Sequence, residues 1–314
     1  MLTSTRAFLA AVSDDASLMA RVAGALGDYE AGTAAWIAVT CGTAVERGAP
    51  AELSGPPIFA LLRTWLTRLP EIAGDIAPRP NAGQAELFVL FQYLSQAVVT
   101  HLARLPVERE AMGREVELIS RLGELAHYSH GATWIREALL KSSGSLIFLH
   151  PASGAGLRLR YSNVSNCFHL FSLLQTAIGD SIVGGRKPNA AIARVARGKS
   201  TETVDDDAWW HYGTAHSKQA DLSASIWGQS LVREIPQVDR TPVVVAFPPI
   251  LGARRWDAGF LGPHLEAMPA DVTVDSALTP AEVKAWLTRI GFDARKTWWQ
   301  RFTSRPTWLV GPRR

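Results

Sequence analysis

The chain has 314 residues, of which 47% are hydrophobic and 19% are charged. This composition supports packed cores and excludes an intrinsically disordered protein, and the length predicts two domains of roughly 100–200 residues each. The net charge of +3 is spread along the chain without the basic stripe of a dedicated nucleic-acid-binding protein, so we expect no nucleic-acid partner.

Redox and targeting features favour a soluble, cytoplasmic protein. The two cysteines, Cys41 and Cys167, are far apart in sequence and do not suggest a disulfide framework. The first residues lack the pattern of a signal peptide, and the longest apolar stretches, residues 87–99 and 243–249, fall short of the ~20 residues of a membrane span. The frequent use of Ala, Arg, Gly and Pro is typical of a bacterium with a GC-rich genome. We therefore expect a cytoplasmic bacterial protein without membrane contact.

Apolar residues recur at helical spacing from residue 13 to residue 141. The apolar segments end at residues that break helices, such as Gly48, Pro70 and Pro106, and the longest segment, residues 84–105, carries one broad apolar face. This pattern predicts a helical domain over residues 1–143, either a bundle or a short solenoid, with no sheet before Gly144.

The pattern changes at Ser142, Ser143 and Gly144, where we place the domain boundary. Residues 146–150 form a short apolar run, and residues 157–161 alternate between apolar and arginine side chains, which predicts an antiparallel hairpin. Residues 243–247 are apolar on both faces, which predicts an interior strand of the same sheet.

The remaining elements complete a predicted α+β domain over residues 144–314, with a mixed and mainly antiparallel sheet. We expect helices over residues 166–178 and 257–268, and strands over residues 220–228 and at Val272 and Val274. A last helix is expected to begin at a capping box formed by Thr279 and Glu282 and to end at Gly291.

Cys167 is the sharpest catalytic candidate. It lies in the first turn of the helix predicted after Asn166, where the positive end of the helix dipole favours a thiolate. A nucleophilic cysteine also needs a base, for which His211 and His216 are available. On the short segments 166–169 and 211–212 this arrangement resembles papain-like and OTU-like cysteine hydrolases, which implies cysteine-dependent hydrolysis. The alternative is that Asn166 caps a core helix in which Cys167 is a small, buried and inert residue.

The acidic run Asp205, Asp206 and Asp207 is a second candidate site. With His211 or His216 it contains residue types that bind metals, but three consecutive aspartates cannot all face one ion. We favour an acidic first turn of a short helix that carries Trp209 and Trp210, and we expect no metal and no cofactor.

Tryptophan is abundant, with 11 residues in the chain. Trp298, Trp299 and Trp308 lie in a basic terminal segment that a core is least able to cover, so we predict at least one partner-binding anchor among them.

These observations favour a non-catalytic interaction protein that acts as a scaffold component of a bacterial multiprotein assembly, with other proteins as its partners. The alternative function is a cysteine hydrolase that uses Cys167 with His211 or His216.

Overall fold

The computed structural model describes residues 2–69, 81–185, 187–207, 210–214, 225–249, 252–262 and 265–292. The architecture is α+β, as predicted, with helices in the first part of the chain and a mixed sheet with helices after it. The chain divides into two compact units, one formed by Met1–Lys141 with Pro263–Pro269 and the other by Ser142–Gly262 with Ala270–Arg314. The break after Lys141 lies two residues before the predicted boundary, and residues 263–269 belong to the helical unit.

The described residues of the helical unit contain no strand, which confirms the helical prediction for residues 1–141. Its helices are α1 (Leu2–Asp14), α2 (Ser17–Gly24), α3 (Ala31–Glu46), α4 (Gly55–Arg68), α5 (Ala82–Arg104), α6 (Pro106–Met112), α7 (Val116–Leu125) and α8 (His130–Leu140).

Helix α5 is the centre of the helical unit. Phe91, Leu94 and Val98 lie on its buried face, because apolar residues three and four apart share one side of a helix. Small residues allow α3 to approach α5 closely: a Cβ atom at Gly42 would lie only 3.2 Å from the Cα atom of Ala97.

The second unit contains a sheet with helices on both sides. Its helices are α9 (Cys167–Ile178), α10 (Ala190–Ala196), α11 (Ala258–Leu261) and α12 (Pro280–Arg289). Its strands are β1 (Ser142–His150), β2 (Ala155–Val164), β3 (Val204–Asp207), β4 (His211–Thr214), β5 (Gln237–Val238), β6 (Thr241–Phe247), β7 (Ala253–Trp256) and β8 (Asp271–Ala277).

The main sheet has the strand order β4-β6-β1-β2-β8, and β5 also pairs with β6. The pairing of β1 with β2 is antiparallel, with Leu146 opposite Leu159, which confirms the predicted hairpin. Strand β6 lies between β4 and β1 and pairs in parallel with β1, which confirms the predicted interior strand. The ladder begins at Ser142, slightly earlier than predicted.

Each face of this sheet has its own core, because the side chains of a strand alternate between the two faces. Val244 of β6 packs with Leu170 and Leu174 of α9 on one face. Val243 and Val245 pack with α12 on the other face. The apolar character of β6 on both faces follows directly from this layered arrangement.

Two predicted helices were wrong. Asp205 and Asp206 lie on strand β3, opposite Arg255 and Arg254 of β7. A strand pair with opposite charges facing each other therefore stands where an acidic helix turn was predicted. The helix predicted for residues 257–268 ends after one turn, since α11 stops at Gly262, which adopts a left-handed conformation (φ 74°). For the strand predicted over residues 220–228, residues 220–224 lie outside the described part, and Ser225 forms an isolated bridge with Gly213 rather than part of a named strand.

Candidate functional site: an aromatic pocket

A cavity of about 310 Å³ opens in the second unit, and we call it the aromatic pocket. Two of its lining residues, Trp227 and Phe260, are large aromatic residues that remain 47% and 55% exposed. Its aromatic lining residues are Phe168, Phe171, Trp210, Tyr212, Trp227 and Phe260. An apolar cavity of this size with a few polar groups is the usual form of a binding site in a protein.

The N-terminal turn of α9 is fixed against the segment that carries Trp227. The backbone N–H of Phe168 donates to the Gly228 carbonyl at 2.6 Å, and the N–H of Cys167 donates to the Ser230 carbonyl at 2.9 Å. Glycine is required at 228 for this approach, because a Cβ atom there would lie 2.9 Å from the Cβ atom of Phe168. The Asn166 side chain accepts from the His169 N–H at 2.7 Å. The first N–H groups of the helix are therefore already bonded within the chain.

Phe171 and Tyr212 form a stacked pair in the pocket wall. Their ring centroids are 3.9 Å apart and the rings are nearly parallel, at 10°. The guanidinium of Arg254 lies 5.5 Å from the centroid of the Tyr212 ring and donates to the Trp210 carbonyl at 3.2 Å. Cation–π attraction and this hydrogen bond hold the Arg254 side chain at the pocket.

A group of buried polar atoms adjoins this wall. The Tyr212 hydroxyl and both amide atoms of Gln175 are enclosed, and the hydroxyl lies beside the Gln175 and Arg254 side chains. Burial raises the pKa of Tyr212 to about 12, against the opposing effects of the adjacent Arg254 and Gln175 side chains. The hydroxyl therefore stays protonated at neutral pH.

The two arginines of the pocket lining differ in their partners. The Arg255 Nε atom donates to Asp205 Oδ1 at 3.1 Å in an exposed ion pair. Arg254 forms no ion pair within 4.0 Å with a described carboxylate, but it lies opposite Asp206 across the β3–β7 pair. An acidic residue therefore stands next to each of the two arginines.

His211 lies at the start of β4 and lines the same pocket. Its Nε2 atom is 2.6 Å from the Ser225 hydroxyl oxygen. Two other serine–histidine pairs have similar geometry, Ser54 with His101 at 2.8 Å and Ser153 with His150 at 2.7 Å. The hydrogen bond alone therefore does not indicate a catalytic pair.

The structure places Cys167 in the core of the second unit, with none of its surface exposed. Burial raises the pKa of its thiol to about 12, and the nearby Glu234 raises it further. Desolvation thus opposes the thiolate that the helix N-terminus would favour. His211 lines the pocket, whereas Cys167 is enclosed beside Leu170 and Tyr161.

The other predicted site residues have different outcomes. His216, Trp298, Trp299 and Trp308 lie outside the described residues, and the anchor role of the tryptophans stays a prediction. Among the described residues, no group of three His, Cys, Asp or Glu side chains is arranged to hold a metal ion.

Sequence analysis did not identify the aromatic pocket. Its residues come from α9, β4, β7, α11, the segment 225–228 and the single positions Trp210 and Pro249, and no spacing within any one segment marks them. The tryptophan-rich stretch before His211 was the one local signal.

No protein-family model, curated protein or solved structure matches the chain. None of the helices described is both long enough and apolar enough to cross a bilayer.

Proposed function

We propose that this chain is a non-catalytic interaction protein, a scaffold component of a bacterial multiprotein assembly that binds a partner protein at the aromatic pocket. The observation that carries this proposal is the exposure of Trp227 and Phe260 at the pocket. Exposed aromatic residues around a concave surface are typical of binding anchors, since they bury a large area at a low entropic cost.

The environment of Cys167 supports binding over cysteine-dependent hydrolysis. A nucleophilic thiol must reach its substrate and form a thiolate near neutral pH. Cys167 has no exposed surface, and burial raises the pKa of its thiol. The proposed cysteine hydrolase therefore has less support than the proposed interaction protein.

Site-specific cross-linking tests the proposal in cells. The photoreactive residue benzoylphenylalanine replaces Trp227 in one variant and Val183 in a control variant, since Val183 is 80% exposed in the same unit but does not line the pocket. We expect a light-dependent adduct with one protein at position 227 and none at position 183. That protein should also bind the purified wild-type chain and not a folded Trp227→Ala variant.

Three results would overturn the proposal. These are the absence of an adduct at position 227, equal adducts at both positions, or labelling of Ser225 or Cys167 by a nucleophile-directed probe together with substrate turnover.

A further inference from the structure

Helices α3 and α5 of the helical unit share a surface without charged residues at its centre, and we call it the α3–α5 face. Residues 31–45 and 87–103 contain no aspartate, glutamate, lysine or arginine. Two aromatic or apolar side chains of α5, Val89 and Tyr93, nevertheless remain 64% and 49% exposed. The exposed or partly exposed side chains of the face, which recur three and four residues apart, are Trp36, Val39, Thr43, Val89, Tyr93, Gln96 and Thr100. Few charges together with aromatic residues are typical of the core of a protein–protein interface.

The two helices of the face lie in contact and run in the same direction. Gly42 of α3 packs against Ala97, since a Cβ atom at 42 would lie 3.2 Å from the Ala97 Cα atom. About one turn further along both helices, an Arg104 nitrogen lies 3.6 Å from a Glu46 carboxylate oxygen. Two such helices, each about 10 Å wide, present a face of roughly 600 Å², which is as large as one side of a small stable interface.

The charged residues of the face lie at its two ends and differ in sign. At the N-terminal end, Glu30 precedes α3 and Glu86 lies in the second turn of α5, and both are exposed. At the C-terminal end, Arg47 follows α3 and Arg104 ends α5, and Glu46 pairs with only one of these two arginines. The face therefore has an acidic end, an apolar centre and a basic end.

The acidic and basic residues are placed symmetrically about one level of the face. Those of α5 are equally far from residue 95, and those of α3 are equally far from the peptide bond before Val39. Because Gly42 lies beside Ala97, Val39 lies at nearly the same level as residue 95. A two-fold axis across both helices at this level would place the acidic end of one copy on the basic end of the other. Parallel pairing of two copies would bring like charges together, which is unfavourable.

We propose that two copies of the chain associate through the α3–α5 face, with their helices antiparallel across a two-fold axis near Gln96. Trp36, Val89 and Tyr93 of each copy pack at the centre of the interface, and the oppositely charged ends meet at its rim. Self-complementary two-fold dimers are the commonest oligomers of soluble proteins. The face belongs to the helical unit, so this association does not depend on the aromatic pocket.

Sedimentation equilibrium of the purified full-length chain at micromolar concentration measures the association. We expect a mass twice that of the 34.1 kDa chain. Val89→Glu adds one carboxylate from each copy to the interface and should raise the dissociation constant of the dimer at least about tenfold. The matched control is Val116→Glu, because Val116 is 74% exposed in the same unit but lies on α7, and it should leave the dissociation constant unchanged. Circular dichroism should show the wild-type helix content in both variants.

A cysteine near the axis tests the antiparallel arrangement. Gln96→Cys should form a disulfide between two copies under mild oxidation, since a residue beside a two-fold axis lies close to its own counterpart. In a parallel dimer, position 96 would face α3 of the other copy, and no such bond would form. The native Cys41 and Cys167 are buried and should not react. The control Val116→Cys should run as a single chain on a non-reducing gel.

The outcomes separate this inference from the proposed function. A monomeric wild-type chain overturns the dimer, as does a dimer whose dissociation constant changes equally in Val89→Glu and Val116→Glu. A dimer without a disulfide in Gln96→Cys overturns the antiparallel arrangement, and this cross-link decides the case if Val89→Glu loses helix content. Partner binding at the aromatic pocket keeps its own test at Trp227 in every case.

Discussion

Replacing Val244 with aspartate is expected to unfold the second unit. Val244 lies on the interior strand β6, has no exposed surface and packs against α9. Loss of two buried methyl groups costs about 1.6 kcal/mol, at ~0.8 kcal/mol each. Keeping the new carboxyl neutral at pH 7, about three units above its ordinary pKa, costs about 4 kcal/mol more. The sum of about 6 kcal/mol is comparable to the total stability of many domains, roughly 5–15 kcal/mol.

Urea denaturation followed by circular dichroism measures this effect. The matched control is Val274→Asp, because Val274 lies on strand β8 at the edge of the same sheet and is 42% exposed. We expect the control to change the free energy of unfolding by less than about 1 kcal/mol, as is usual at surface positions. If Val244→Asp unfolds at the same urea concentration as the wild type, the assignment of β6 as a buried interior strand is wrong.

Three further predictions concern single residues. Iodoacetamide at neutral pH should leave Cys167 unmodified in the folded protein, because burial raises the pKa of its thiol to about 12. Cys167→Ala should lower the free energy of unfolding by about 1 kcal/mol. Rapid alkylation of Cys167 with loss of partner binding would contradict this. His101 donates to the Ala97 carbonyl through Nδ1 and accepts from the Ser54 hydroxyl through Nε2, and burial lowers the pKa of its imidazole. Its contribution to stability is therefore present above pH 6.5 and falls as the pH drops below that value. The free energy of unfolding should fall by at most about 1.4 kcal/mol per pH unit. A stability difference between wild type and His101→Gln that is constant from pH 7.5 to pH 5 would refute the assignment. Arg240 adopts a left-handed conformation (φ 63°) in the turn between β5 and β6, which glycine tolerates better than a residue with a side chain. Arg240→Gly should therefore raise the melting temperature, and a lower melting temperature would contradict the assigned turn.

The sequence predicted the elements whose signals are local. Helical spacing located the helices before Lys141, and strict alternation over residues 157–161 located the hairpin. Apolar character on both faces of residues 243–247 identified an interior strand, because only a strand covered on both sides tolerates that pattern.

The errors arose where distant residues determine the structure. The acidic run at Asp205 and Asp206 is stabilised by Arg255 and Arg254, about 50 residues away in sequence, which no local pattern reveals. The aromatic pocket has the same origin, because Phe171, Tyr212 and Arg254 meet only in the folded unit. Sequence patterns therefore predicted the framework and not the candidate site.

The most direct test of partner binding at the aromatic pocket is a calorimetric titration of the purified full-length chain with the protein identified by cross-linking. We predict a single binding site and a dissociation constant at least about thirtyfold higher for Trp227→Ala, the effect of losing an anchor worth ~2 kcal/mol. The control Val183→Ala should bind within about twofold of the wild type, as expected for an exposed residue that does not line the pocket. Unchanged affinity in a folded Trp227→Ala variant would contradict the assignment of this pocket as the partner-binding site.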